Sequence, residues 1–271
     1  MENIKQKVAI IGTGNIGGAI ARGLAQGTVI DVSDITCTDR SQALLDKLLD
    51  YNPAFHVSRD NVEAVREADI VIIAVKPWMV ESVVNEIKTT LDYDRQTVVS
   101  IAAGVTFEQL LAFFAKHSGF NRMTPPLFRV IPNTAIEALS SMTFVSACNA
   151  TKEQTDFILR IFSELGNAML VDERLMTAGT ALASSGIAFA LRYIRAAIEG
   201  GVELGFYPQE AQEIVVHTVK GAVDLLLANH SNPEQEIDRV TTPGGITIRG
   251  LNEMELSGFT SAVIRGLKAS K

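Results

Sequence analysis

Two glycine-rich segments carry residue types suited to binding anions. The first, residues 12–17 (GTGNIG), directly follows an apolar run and opens a helical pattern. The second, residues 240–247 (VTTPGGIT), sets three threonine hydroxyls and two glycines in front of an apolar-periodic run. The first turn of a helix has backbone N–H groups without an intrahelical partner, and these groups attract small anions. We therefore expect two separate anion sites, the first for a cofactor and the second for a substrate.

Gly12, Gly14 and Gly17 form a GxGxxG motif between a predicted strand and a predicted helix. The first glycine permits a tight turn, the second lets the backbone approach a pyrophosphate, and the third lets the helix pack closely on the sheet. A glycine-rich turn that serves packing alone is the alternative. The position of the motif directly after residues 7–12 (KVAIIG) favours dinucleotide binding.

Asp39, Arg40 and Ser41 follow the second predicted strand, where the adenosine ribose of a dinucleotide lies. An acidic residue there favours the free 2′-hydroxyl of NAD, whereas a neighbouring Arg and Ser can bind the 2′-phosphate of NADP. The sequence offers both signals. We expect NADPH, with NADH as the alternative, because Arg40 and Ser41 can act together while Asp39 is turned aside or offset by Arg40.

Two further strand ends are expected to line the cofactor. Residues 74–77 (AVKP) and 100–104 (SIAAG) each close a predicted strand. In open parallel sheets, ligands bind at the carboxyl ends of the strands. Small residues in the second of these segments let the backbone pass close to a nicotinamide ring. Lys76 either contacts the cofactor ribose or is an exposed lysine at a strand end.

The elements that must position these residues indicate an α/β fold of Rossmann type. Helical patterns separate short apolar strands, which are predicted at residues 7–12, 35–39, 69–75, 97–101 and 128–131. Such alternation predicts a doubly wound, mainly parallel sheet covered by helices on both faces. We expect this dinucleotide-binding domain to span residues 1–150.

Helix starts are marked by capping patterns. Residues 60–63 (DNVE), 106–109 (TFEQ) and 151–154 (TKEQ) each place a capping side chain three residues before Glu or Gln. Pro77 suits the first turn of another helix.

The pattern changes after about residue 150. Apolar residues then recur at three- and four-residue spacing, which predicts an all-helical C-terminal domain at residues 151–271. Its helices at 177–197 and 214–227 are apolar on several faces. A small domain cannot cover that much apolar surface alone, so we expect a homodimer, or a higher oligomer of dimers, built through these helices.

Composition excludes several classes of function. The formal charge is −7 and no basic run is present, so nucleic acid is not an expected partner. The N-terminus lacks a signal-peptide pattern, and the longest purely apolar stretch, residues 70–75, is too short to span a bilayer, so we expect a cytoplasmic protein without a membrane partner. Cys37 and Cys148 lack CxxC spacing and are expected to be buried free thiols.

The chain lacks an obvious acid or base for alcohol oxidation. The four histidines lie outside any motif, no cluster suggests a metal, and residues 177–193 contain no lysine. The 3-hydroxyacid dehydrogenases carry a catalytic lysine on the corresponding helix, and the ketopantoate reductases likewise depend on a lysine. The absence of a lysine here therefore argues against both families. An imine fits better, because its nitrogen can arrive already protonated. The protein then needs only to position the imine, with a hydroxyl near the nitrogen.

The chain resembles the pyrroline-5-carboxylate reductases along essentially its whole length. The resemblance rests on residues 12–18 (GTGNIGG), 74–77 (AVKP), 100–105 (SIAAGV) and 131–134 (IPNT), and above all on 240–259 (VTTPGGITIRGLNEMELSGF). It implies reduction of 1-pyrroline-5-carboxylate to L-proline, the last step of proline synthesis, with NAD(P)H.

The resemblance also implies roles for individual residues. Those expected at the cofactor are Gly12, Thr13, Gly14, Asn15, Ile16, Arg40, Ser41, Asn61, Ala74, Val75, Lys76, Pro77, Ala102 and Ala103. Those expected at the substrate are Ser185, Thr241, Thr242, Gly244, Gly245 and Thr247. Thr247 is the candidate catalytic residue, near the ring nitrogen. Alternatively, its hydroxyl satisfies a neighbouring backbone group at the helix start.

One segment departs from the family pattern. Members usually have a run resembling SGSGPAY, but residues 183–189 read ASSGIAF, with Ser184 in place of the first glycine and Ile187 in place of the proline. Ser185 and Gly186 are retained. The departure leaves open another cyclic imino acid, six-membered or thiazoline, as the substrate. A catalytically inactive NAD(P)-binding regulatory protein is the remaining alternative.

Overall fold

An eight-stranded sheet organises the first part of the chain. The computed structural model describes residues 6–118 and 121–271. Within them the strands are β1 (Val8–Ile11), β2 (Ile35–Thr38), β3 (His56–Ser58), β4 (Ile70–Ile73), β5 (Thr97–Ser100), β6 (Lys116–Ser118), β7 (Asn121–Met123), β8 (Leu127–Ile131), β9 (Ser141–Cys148) and β10 (Gly166–Leu170). The sheet order is β3–β2–β1–β4–β5–β8–β9–β10, and β6 with β7 forms a separate hairpin. Neighbouring strands of the sheet are parallel except β8 and β9, so the predicted Rossmann-type, mainly parallel sheet is confirmed.

Helices follow most strands and then take over the chain. They are α1 (Asn15–Leu24), α2 (Gln42–Tyr51), α3 (Asn61–Arg66), α4 (Val80–Ile87), α5 (Phe107–Phe114), α6 (Lys152–Ser163), α7 (Met176–Gly179), α8 (Gly186–Glu203), α9 (Pro208–Asn229), α10 (Pro233–Val240), α11 (Ile246–Leu256) and α12 (Phe259–Ala269). The helical C-terminal region is as predicted.

The sheet has an apolar core on each face. Successive side chains of a strand point to opposite faces, so Val8 and Ile10 of β1 join one core while Ala9 and Ile11 join the other. Residues of α1, α2 and α6 complete the first core, and residues of α3, α4 and α5 complete the second. This two-sided burial explains why the strands are almost continuously apolar.

The predicted capping residues begin their helices. Asp60 accepts hydrogen bonds from the backbone N–H groups of Val62 and Glu63 at the start of α3. Thr106 and Thr151 form capping boxes at α5 and α6. Pro77 opens a short 3₁₀ turn that leads into α4.

The first unit extends beyond the predicted boundary at residue 150. The two compact units of the chain are Met1–Ser184 and Ser185–Lys271. Residues 151–184 belong to the first unit because β10 pairs in parallel with β9 and because α6 buries Ile158, Ile161 and Phe162 in the first core. The sequence of β10 (GNAML) is short and mixes polar and apolar residues without a clear two-residue alternation. The strand was therefore not predicted from the sequence.

The second unit is a set of helices with almost no core of its own. Within Ser185–Lys271, Ala211 is the one buried residue. Helices α8 and α9 pack closely, since a Cβ on Gly201 would lie 3.0 Å from the Cβ of Ala211. Tyr193 of α8 meets Phe259 of α12 edge to face, with ring centroids 6.3 Å apart. Many large apolar side chains stay exposed, among them Leu191, Leu227 and Ile264.

Candidate functional site

A cleft of about 570 Å³ lies at the carboxyl ends of β1, β2, β4 and β5. Between β1 and β4 the strand order reverses, and such a switch point is where open parallel sheets bind ligands. The lining residues are Ile11, Gly12, Gly14, Asn15, Ile16, Thr38, Asp39, Arg40, Asn61, Ala74, Val75, Lys76, Pro77, Met79, Ser82, Val83, Glu86, Ile101, Ala102 and Ala103. The structure thus gathers most of the residues that the sequence nominated for a cofactor.

The three glycines of the GxGxxG motif have different reasons to be glycine. Gly12 has a φ of +93°, and a Cβ there would lie 2.9 Å from the carbonyl oxygen of Ala74. A Cβ on Gly17 would lie 1.9 Å from the carbonyl oxygen of Gly12. A Cβ on Gly14 would meet no protein atom within 4 Å. Packing therefore explains Gly12 and Gly17, whereas Gly14 keeps clear a space in the cleft, which fits the close approach of a pyrophosphate to the backbone.

Asp39 is occupied by the protein itself. One carboxylate oxygen accepts hydrogen bonds from the backbone N–H of Thr13 at 2.8 Å and from its hydroxyl at 3.3 Å. The other oxygen accepts from the backbone N–H of Ser41 at 2.9 Å. Asp39 therefore joins the glycine-rich turn to the start of α2. The carboxylate that would bind a ribose hydroxyl is turned toward the main chain.

Arg40 is the cation of the cleft next to this carboxylate. Its side chain is exposed, and its guanidinium lies 3.7 Å from the sulfur of Met79. Among the described residues it forms no ion pair. Ser41, at the start of α2, makes no side-chain capping hydrogen bond. A guanidinium without an ion pair and a hydroxyl that does not cap its helix can together bind a phosphate.

Two nominated residues lie outside the lining of the cleft. Thr13 is buried and directed at Asp39, and Ser41 lies just beyond Arg40. The structure adds a wall that the sequence reasoning missed, made by Met79, Ser82, Val83 and Glu86 at the start and along one face of α4. These residues follow Pro77, and Ser82 and Val83 each lie three or four positions from Met79 and from Glu86, which is the spacing of one helix face. That spacing was a readable signal, because a helix that begins at a strand end must direct one face toward the cleft.

The cysteines lie apart from the cleft lining. Burial raises the pKa of the Cys37 thiol to about 12. Burial also raises the pKa of Cys148, and the charge of Glu173 adds to that rise. Both residues are free thiols; Cys37 is buried as expected, whereas Cys148, at the end of the edge-proximal strand β9, is only half-buried, so the expectation of burial was wrong for it.

The threonine-glycine segment of the second unit forms a tight turn before α11. Gly244 has a φ of +72°, which favours glycine. A Cβ on Gly245 would lie 2.6 Å from the hydroxyl oxygen of Thr242, and the Gly245 N–H donates to the Thr242 carbonyl. Gly245 is the N-cap of α11 and supplies no side chain to cap it. The first backbone N–H groups of α11 are therefore available to an anion.

The hydroxyls of this segment differ in their partners. Thr241 donates to the carbonyl of Ile237 at the end of α10. For Thr242 and Thr247, no hydrogen bond of the hydroxyl is found within the described part of the chain. Thr247 is exposed in the first turn of α11, and its side chain does not cap its own helix.

The segment that departs from the family pattern contains an unusual helical turn. Residues Thr180–Ser185 form a π-helical turn between α7 and α8, and Ser185 is its last residue. The hydroxyl of Ser184 donates to the carbonyl of Pro132 at 3.4 Å, and the Asn133 side chain donates to the carbonyl of Ala183 at 3.4 Å. Single π-helical turns recur at functional sites.

The fold and the cleft define a class. A doubly wound sheet, a GxGxxG turn at its switch point and a cleft suited to a dinucleotide are the features of an NAD(P)H-dependent oxidoreductase.

Comparisons with known proteins narrow this class. The family described as "Pyrroline-5-carboxylate reductase dimerisation" matches residues 173–271, and "NADP oxidoreductase coenzyme F420-dependent" matches residues 7–104. Pyrroline-5-carboxylate reductase 1 of Dictyostelium discoideum is 36% identical over 97% of this chain, which spans 48% of that relative's length. The pyrroline-5-carboxylate reductase of Methanosarcina acetivorans is 35% identical over 100% of this chain and 98% of its own. The chain belongs to the pyrroline-5-carboxylate reductase family.

A solved structure supports the same assignment. Plasmodium falciparum pyrroline carboxylate reductase with NADP bound is 25% identical, with a TM-score of 0.84 over 98% of this chain and 95% of that one. Together with the match to an NADP oxidoreductase domain, this likeness supports NAD(P)H as the cofactor. The dimerisation match supports a homo-oligomer.

Proposed function

We propose that the protein reduces 1-pyrroline-5-carboxylate to L-proline, and that NADPH is its preferred reductant. The observation that carries this proposal is the presence in one chain of a dinucleotide cleft and an uncapped helix start with free hydroxyls. Near full-length relatives with that activity in their names support it.

The residues of the cleft fit the dinucleotide by their chemistry. The space at Gly14 and the turn at Gly12 suit the pyrophosphate, and the small residues Ala102 and Ala103 leave room for a flat ring. When bound, NAD(P)H supplies the hydride. The exposed guanidinium of Arg40, which forms no ion pair among the described residues, suits a 2′-phosphate. The hydrogen bonds that Asp39 accepts from Thr13 and Ser41 occupy part of the carboxylate that would otherwise favour NADH.

The substrate is proposed to bind at the start of α11. The free N–H groups of this first turn would hold the carboxylate, with the glycines keeping the backbone accessible. Dense local donors matter here because the net charge of −7 repels a small anion at long range.

Thr247 is proposed to serve the ring nitrogen. A protonated imine is already an electrophile at carbon, and its C=N electron pair passes to nitrogen as the carbon accepts hydride. No strong acid is then required. The Thr247 hydroxyl would orient the N–H or relay a proton, with Ser185, Thr241 and Thr242 completing the site.

The exposed apolar surface of the second unit is assigned to a partner subunit. The continuous helical stretch Glu173–Glu203 is long and apolar enough to cross a membrane by length and composition, with 6% of its most apolar window buried. The dimerisation family match covers this stretch, and an apolar subunit interface explains its composition equally well. We assign a homodimer, or an oligomer of dimers, with a cytoplasmic location as the accompanying expectation.

A panel of cyclic imines tests the proposed substrate. Initial rates of NADPH oxidation would be measured with 1-pyrroline-5-carboxylate, its six-membered homologue and a thiazoline carboxylate. We expect the highest kcat/KM for the five-membered imine. A higher kcat/KM for either of the other two imines would contradict the proposed substrate and would indicate that the altered residues Ser184 and Ile187 change substrate choice. The same assay with NADH and NADPH tests the cofactor preference, and comparable KM values would contradict it.

A further inference from the structure

The α4 wall of the cleft carries an acidic side chain with no assigned role. Met79, Ser82, Val83 and Glu86 line the cleft at helical spacing. The apolar side chains of Met79 and Val83 suit the face of a flat ring. Glu86, in the last turn of α4, places a carboxylate at the margin of that apolar surface.

A short hydrogen-bond chain holds Glu86 toward the cleft. The buried Thr38 hydroxyl, at the end of β2, donates to the side-chain oxygen of Asn61 at 2.6 Å. This contact fixes the Asn61 amide, whose nitrogen donates to one carboxylate oxygen of Glu86 at 3.1 Å. The other oxygen, Oε1, has no hydrogen-bond partner within residues 6–118 and 121–271. An oriented acceptor is thus left unused beside the cleft.

The two charges on this side of the cleft suit different parts of a nucleotide. Arg40 is free of an ion pair among the described residues and suits a phosphate, whereas Glu86 would repel one. A carboxylate accepts hydrogen bonds only. The adenine ring offers an apolar face and a single hydrogen-bond donor on its base edge, the exocyclic amine. The position of Asn61 and Thr38 on the β2 side, away from Ala102 and Ala103, matches the adenosine end of a dinucleotide.

We propose that Glu86 accepts a hydrogen bond from the exocyclic amine of adenine and so selects adenine dinucleotides over those with a carbonyl at the same ring position. Asn61 and Thr38 are the positioning residues for this carboxylate. The inference rests on the proposed function, since it requires a dinucleotide in the cleft.

Calorimetric titration without any imine gives the test. Oxidised NADP and its analogue with hypoxanthine in place of adenine, in which the amine is replaced by a carbonyl, would each be titrated into wild type, Glu86→Gln and Glu81→Gln. Glu81 is exposed on the same helix but lies outside the cleft lining, so its variant makes the same charge change elsewhere. Thermal melting of all three proteins checks that they fold alike.

The expected result is a change in base preference confined to Glu86. Wild type and Glu81→Gln should bind the adenine form about tenfold more tightly, as for one partly exposed charged hydrogen bond. In Glu86→Gln the ratio should fall to near one, because an amide can accept from an amine or donate to a carbonyl.

Other outcomes overturn the inference. An adenine-to-hypoxanthine ratio that is the same in wild type and Glu86→Gln removes Glu86 from base recognition. A changed ratio of NAD to NADP affinity with an unchanged base ratio assigns Glu86 to the ribose instead. Failure of wild type to bind either nucleotide would also overturn the proposed function, whereas binding without discrimination leaves that function intact.

Discussion

The two units of the chain differ in what they can bury alone. The sheet unit buries apolar side chains on both faces, including the whole of β1 and β4. The helical unit buries Ala211 and leaves Leu204, Leu256 and Ile246 more than four-fifths exposed. The first unit therefore has the core of an independent domain, whereas the second has the surface of a subunit that requires a partner.

The difference extends to the two proposed anion sites. The cofactor cleft is organised by contacts inside its own unit, such as those of Asp39 and Asn61. The segment proposed to bind the substrate, residues 240–247, is largely exposed and shaped mainly by its own backbone turn. Substitutions in the first unit should alter cofactor binding whether or not the subunits associate. The stability of the second unit, in contrast, should depend on association with a partner subunit.

The largest expected effect is at the substrate segment. Thr247→Ala should lower kcat/KM for the imine by about 10² to 10³, comparable to the loss of one positioned donor. Cofactor affinity, measured by calorimetry, should not change. Thr247→Ser keeps the hydroxyl and should restore most of the activity. An unchanged kcat/KM in the alanine variant would remove Thr247 from the mechanism.

A smaller effect is expected at the glycine-rich turn. Gly14→Ala should weaken NADPH binding by about tenfold or more with an unchanged melting temperature, because its Cβ meets no protein atom. Gly17→Ala is the contrast, since its Cβ would lie 1.9 Å from a backbone oxygen and should lower the melting temperature. Equal destabilisation by both substitutions would show that Gly14 serves packing.

The next effect is a change in the KM for NADPH relative to that for NADH. Arg40→Ala should raise the KM for NADPH about tenfold and change that for NADH little, as expected for one charge-assisted phosphate contact. Lys47→Ala, on the exposed side of α2, makes the same charge change away from the cleft. If both variants weaken NADPH equally, the effect is one of net charge and Arg40 has no specific role.

The smallest effect concerns association. A hundredfold rise in protein concentration should raise the melting temperature by roughly 2 to 5 °C, because association stabilises the folded subunit. Differential scanning calorimetry over that range provides the measurement. A melting temperature independent of concentration, with a monomer in light scattering, would contradict the assigned role of the helical unit.

Local signals in the sequence predicted much of the sheet unit. The capping residues Asp60, Thr106 and Thr151 act within one turn of their own helices, so their patterns could be read directly. The GxGxxG turn also has a contiguous sequence pattern, although it packs against the distant Ala74 and bonds to Asp39. The predicted caps are confirmed, and so is the position of GxGxxG between β1 and α1, whereas the roles of its residues at a cofactor stay a prediction.

Features that depend on distant contacts were harder to predict. Strand β10 exists because β9 offers it an edge, so neither its presence nor the boundary at Ser184 could be read from GNAML. The sequence also offered two candidates for contact with the adenosine ribose, Asp39 for a free 2′-hydroxyl and Arg40 with Ser41 for a 2′-phosphate. In the structure Asp39 accepts hydrogen bonds from Thr13 and Ser41, and the long-range contact with Thr13 could not be read from the sequence.

The most direct measurement follows both products of the proposed reaction at once. Wild-type protein would be incubated with 1-pyrroline-5-carboxylate and NADPH, and L-proline and oxidised cofactor would be quantified together. The account predicts one L-proline formed for each NADPH oxidised. Cofactor binding in calorimetry without L-proline formation from either NADPH or NADH would contradict it.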